Sequence, residues 1–114
     1  MSIKKFYATA DTTITNAYKE NLSTRATDSN MGLSDSLEVF FIYNQTAKAN
    51  PSAADKLEEA RILVKFDTAA ITTFYGGATA PANTKFVLKL TNAAHPFTLA
   101  RNYDLRVYHL GAPF

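Results

Sequence analysis

The sequence predicts an all-β sandwich, and three observations lead there. Apolar residues recur at a period of two in several separate stretches. Those stretches are short and divided by segments rich in turn-forming residues. Helical spacing is confined to one or two turns inside the intervening loops. A chain of 114 residues can bury a single core, so one sandwich domain is expected over residues 1–114.

Taken in chain order, Lys4–Thr9 and Thr12–Thr15 read as two short opening strands with Ala10 and Asp11 between them. The next strand is expected over Ser36–Asn44. There Leu37, Val39, Phe41 and Tyr43 share one face and Glu38, Phe40 and Ile42 the other, so cover on both sides, or a central position, is expected. Asn50–Glu59 interrupts the pattern, with Pro51 and then Ser52 as a cap before a helical turn over Ala53–Ala60. Ala60–Phe66 points Ile62, Val64 and Phe66 inward and Arg61 and Lys65 outward. Asp67–Tyr75 carries Ile71 and Phe74 three apart and is closed by Gly76 and Gly77, which suits a short helix. Thr84–Thr91 points Phe86, Leu88 and Leu90 inward and Lys85 and Lys89 outward. Asp104–Leu110 puts Leu105, Val107 and His109 on one face, with Tyr108 and Leu110 on the other.

Composition removes whole classes of function. The chain is 46% hydrophobic, with 8 Phe and 6 Tyr, which excludes a disordered chain. The absence of cysteine excludes a disulfide scaffold and a thiolate metal site. The net charge of +2 comes from scattered Lys and Arg, too dispersed for a phosphate-binding face, so no nucleic acid is expected as a partner. No apolar run approaches the ~20 residues that span a bilayer, and Lys4 and Lys5 lead into no apolar signal region, so neither a membrane nor an export signal is expected.

Few residues offer chemistry. Asp28, Asn30 and Asp35 present oxygens around Gly32 at the alternate spacing that suits calcium. No glutamate lies where an EF-hand needs one, and the favoured reading is a structural turn. In that turn Gly32 takes a positive φ, and Asp28 or Asn30 accepts backbone N–H groups ahead of the next strand. His95 and His109 have no neighbouring ligand in sequence, and His109 reads as a half-buried strand residue. Asp11, Glu38 and Asp67 are not brought together by any motif, and no nucleophile elbow accompanies the serines. Neither a catalytic residue nor a cofactor is expected. Phe40, Tyr43, Tyr75, Tyr103 and Tyr108 could form a sugar-stacking platform, although their strand positions favour the core and tryptophan is absent. The sequons at Asn21 and Asn44 matter only in a eukaryotic secretory pathway.

The order of these pieces resembles the disaggregatase-related, DNRLRE-like β-sandwich modules. The matching residues are Asp11-Thr12, Asn30-Met31-Gly32, the strand Arg61 to Asp67, and Leu88-Lys89-Leu90. The match is similar to the version in virion structural proteins of large tailed bacteriophages. It implies a jelly-roll-like antiparallel β-sandwich and a non-enzymatic role in the tail, neck or capsid-decorating layer. The implied partners are other virion subunits in a homo-oligomer or lattice, with localisation in a virion assembled in the host cytoplasm. Carbohydrate binding to a surface glycan is the alternative. The modules continue past the final strand into a Trp-Glu segment that this sequence lacks. Two expectations follow. Either another subunit or further chain completes the sandwich, and Tyr103, Tyr108, Leu110 and Phe114 form an interface.

Overall fold

Leu57–Phe66 is the strand on which the rest is built. Its even-numbered positions alternate with charged Glu59, Arg61 and Lys65, the period-two pattern of a strand with one covered face. The computed structural model describes residues 3–77, 79–94 and 102–111. Within them, β1 (Ala8–Thr15), β2 (Phe40–Tyr43) and β3 (Leu57–Phe66) form one antiparallel sheet in the order β1-β3-β2. A 3₁₀ turn over Ala54–Lys56 precedes β3, and α1 (Thr68–Tyr75) follows it. Three antiparallel strands and little helix are compatible with the all-β class.

The registers fix which residues share a face. Thr13 lies opposite Ile62, Thr15 opposite Ala60, and Phe40 also opposite Ala60. One face therefore carries Thr13, Thr15, Phe40, Ile42, Glu58, Ala60, Ile62 and Val64. It is the covered face, with Thr13, Glu58 and Ala60 buried. Leu37–Val39 crosses it, held where the Glu38 N–H donates to Thr13 Oγ1 at 2.9 Å. The other face carries Ile14, Phe41, Tyr43, Leu63, Arg61 and Lys65.

One expectation is corrected at the start of the chain: in place of two strands over Lys4–Thr9 and Thr12–Thr15 there is one, β1, in which Ala10 and Asp11 pair with β3 and Thr9 bulges where the register shifts between Ala8 and Ala10. Others are met in detail. Helix α1 falls on its expected residues. Asp67 Oδ1 accepts the N–H groups of Ala69 and Ala70 at 3.0 and 3.2 Å, and Gly76 ends the helix in the left-handed region at φ 76°. Ser52 acts as a cap: its Oγ accepts the Asp55 N–H at 3.2 Å, while Asp55 Oδ2 accepts the Ser52 N–H at 2.9 Å. The turn stops at Lys56, however, because Leu57–Ala60 is taken into β3.

Other expectations are corrected. The strand expected over Ser36–Asn44 is only Phe40–Tyr43, and it lies at the sheet edge with Phe41 66% and Tyr43 63% exposed. Asn44, at φ 62°, leaves the extended region and ends it. Residues 84–91 and 104–110 carry strand patterns but join no ladder and are exposed, His109 included. Alternation says which side chains would be buried together; it does not supply a neighbouring strand. The expected core positions of Tyr103 and Tyr108 fail for the same reason, and that of Tyr43 because it stands on the open face of an edge strand. The radius of gyration is 18.5 Å, against about 13 Å for a compact chain of this length.

Gly32 does not take a positive φ. Its role is space: a Cβ there would meet Asn30 Oδ1 at 3.2 Å, the atom that accepts the Gly32 N–H at 3.0 Å. The left-handed glycine is Gly76. Gly76→Val is therefore expected to cost roughly 1–3 kcal/mol through strain, and Gly32→Ala clearly less. Denaturant unfolding of the two variants checks the order, and a larger loss at Gly32 would reverse it.

Candidate functional site

Behind β2 and β3 lies a cluster that holds two long loops against the sheet. The Arg25 guanidinium stacks 3.8 Å from the centre of the Tyr18 ring. Its Nη1 donates to the carbonyls of Asn16 at 2.9 Å and Leu57 at 2.8 Å, and its Nη2 donates to the Ala54 carbonyl at 2.8 Å. Tyr18 is buried; its hydroxyl donates to the Asp55 carbonyl at 2.7 Å, and its N–H donates to Glu58 Oε1 at 2.8 Å. Glu58 is only 4% exposed, and its Oε2 is buried with no hydrogen-bond partner. The donors of Arg25 are thus spent on backbone carbonyls, which fits a structural clamp.

Sequence reasoning missed this cluster. Glu58 shares the inward parity of Ile62, Val64 and Phe66, and starting the strand at Leu57 instead of Ala60 exposes it as an acid on a covered face. Arg25 sits in a polar loop without periodicity, and no pattern points to it.

The cluster extends to Asp55. Its carboxylate accepts from Lys48 Nζ at 2.6 Å and from the Ser52 N–H and hydroxyl at 2.9 and 2.8 Å. Those bonds, that of Lys48 foremost, hold the carboxyl well below the usual carboxylate range. A pKa lower in the folded state gives stability that is present above the unfolded value of about 3.9 and is lost as pH falls below it. Thermal melts should accordingly show Tm falling below about pH 4, less steeply in Asp55→Asn. An identical acid limb in the variant would refute the assignment.

The calcium candidates do not gather. Asp28 Oδ2 pairs with Lys19 Nζ at 3.2 Å, and this bond holds its carboxyl below the ordinary value. Asn30 Oδ1 accepts the Gly32 N–H, and Asp35 lies exposed. Among the described residues no three of His, Asp or Glu are grouped to hold a metal ion.

Apolar surface is the larger feature. A cleft of about 310 Å³ is lined by Phe6, Phe66, Ile71, Phe86, Val87 and Leu88. Phe74 meets Phe6 edge-on at 5.9 Å, and Tyr75 meets Phe86 at 6.1 Å. Of the expected interface residues, Tyr103, Tyr108 and Leu110 are exposed, Tyr108 to 74%. Phe114 and His95 lie outside the described residues. Among the described residues no helix is long and apolar enough to cross a membrane. Comparisons with protein-family models, curated proteins and solved structures return no match.

Proposed function

We propose that the protein is a non-enzymatic structural component of a bacteriophage particle, in the tail, neck or capsid-decorating layer, acting through subunit contacts. The observation that carries the reading is the pairing of open sheet edges with unpartnered apolar segments. Residues 84–91 and 104–110 have the alternation of strands yet lie exposed and join no ladder, while the three-stranded sheet leaves two edges open. Exposed apolar surface on this scale favours partner contact. The jelly-roll-like sandwich is then completed within the assembly, with Tyr103, Tyr108 and Leu110 at contacts. The particle setting rests on the motif resemblance around Asp11-Thr12, Asn30 to Gly32 and Arg61 to Asp67. A mass-spectrometric inventory of the source particles should find the protein at a fixed copy number, and particles lacking it should lose integrity. Its absence from the particles overturns the reading.

A second reading, carbohydrate binding, is favoured by the exposure of Tyr43, Tyr103 and Tyr108, since a sugar face stacks on an accessible ring. Binding on a glycan array that weakens in Tyr108→Ala supports it; no binding to any glycan removes it.

A further inference from the structure

The two free edges of the sheet differ. The β1 edge carries Asp11 and the bulge at Thr9, both features that discourage a further strand from pairing. The β2 edge has neither. Over Val39 and the strand Phe40–Tyr43 the edge has no charged side chain, glycine or proline. Such an edge is a template for strand addition.

Its hydrogen-bonding groups can be assigned. The Asn44 N–H donates to the Lys56 carbonyl at 2.7 Å, continuing the register in which Ile42 faces Glu58 and Phe40 faces Ala60. In an antiparallel ladder the bonded pairs alternate, so Phe40 and Ile42 turn their N–H and C=O groups toward β3. Those of Phe41 and Tyr43 therefore lie along the open edge.

We propose that this edge pairs with the β2 edge of a second copy, antiparallel and about a twofold axis, to make a continuous six-stranded sheet. The proposal deepens the assembly reading and rests on it. With the axis at Phe41, Phe41 of each copy lies opposite its equivalent, and Val39 lies opposite Tyr43. None of these paired residues is charged, so no like charges meet along the seam. The outermost strands of the six are the two β1 strands, whose bulge and Asp11 stop further growth. A second copy fits better than a charged foreign strand, because the edge has no charge to select one.

The test uses the full chain at rising concentration. Sedimentation should move from one-copy to two-copy mass, and hydrogen exchange should slow at the Phe41 and Tyr43 amides with concentration. The Phe40 and Ile42 amides, already bonded to β3, should be protected throughout. Phe41→Lys, which puts like charges together on the axis, should return the mass to one copy with an unchanged circular dichroism spectrum. The exchange measurement on the unaltered protein decides the matter should that variant fail to fold. Association without slowed exchange at Phe41 and Tyr43 overturns the edge pairing and leaves the assembly reading intact. Slowed exchange there together with new protection over residues 85–90 also overturns it, in favour of a segment donated from another copy. One-copy mass at every concentration overturns it as well, while the particle inventory decides the assembly reading separately.

Discussion

Arg25→Ala is expected to destabilise the protein by roughly 2–4 kcal/mol, the cost of leaving several carbonyls without a charged donor. The side chain serves three backbone carbonyls from three segments: Asn16 after β1, Ala54 in the 3₁₀ turn and Leu57 at the start of β3. Its plane also covers Tyr18 at 3.8 Å. A guanidinium can do this because its donors diverge in a fixed fork. An ammonium is a single point of charge and reaches fewer acceptors. Arg25→Lys should therefore recover less than half of the loss, measured by denaturant unfolding at neutral pH. An Arg25→Ala variant within about 0.5 kcal/mol of the parent would show that water replaces the guanidinium at no cost, and the clamp would lose its role.

What the sequence made legible is what local chemistry alone decides. The α1 boundaries follow from the spacing of Ile71 and Phe74 and from the two glycines that close the segment. The interruption at Ala10 and Asp11 reads as a gap between two strands, whereas the chain passes through it as one strand with a bulge at Thr9. The inward set Ile62, Val64 and Phe66 follows from period two, and the Ser52 cap from its place after Pro51 ahead of a helical turn. The rest depends on partners that sequence order does not name. Ser36–Asn44 has two apolar faces, which argues for cover on both sides or a central strand; the sheet instead places β3 in the centre and leaves β2 at the edge with Phe41 and Tyr43 exposed. Glycine permits the left-handed region at Gly32, whereas the turn needs only the missing Cβ. Arg25 and Tyr18 meet across a loop that carries no periodic signal.

The same distinction bears on stability. Among the described residues the buried set is Tyr18 and Ala60 with Thr13 and Glu58, a small core in which half the members are polar. Burial of apolar area is the main favourable contribution to folding. A sheet with so little of it depends more than usual on its hydrogen-bonded clamps and on whatever covers its open edges. A partner that binds only the folded form would therefore stabilise it.

The second large effect is expected at Glu58. Glu58→Leu should cost roughly 1–3 kcal/mol, because the buried Tyr18 N–H loses the carboxylate oxygen that accepts it. Glu58→Gln should behave differently. The amide oxygen can still accept the Tyr18 N–H, and the substitution removes the ionisable oxygen that is buried without a partner. Burying an unsatisfied carboxylate oxygen is unfavourable, and taking it away offsets the new need to place an NH₂ group. The expected result is therefore a glutamine variant about as stable as the parent, or more so, beside a leucine variant that is clearly weaker. Thermal and denaturant unfolding of the pair reads the difference directly. If both variants lose stability equally, the carboxylate itself is needed, and Glu58 Oε2 must have a partner that its buried position conceals. If neither loses any, the Tyr18 N–H finds another acceptor, and the clamp behind β2 is held by Arg25 alone.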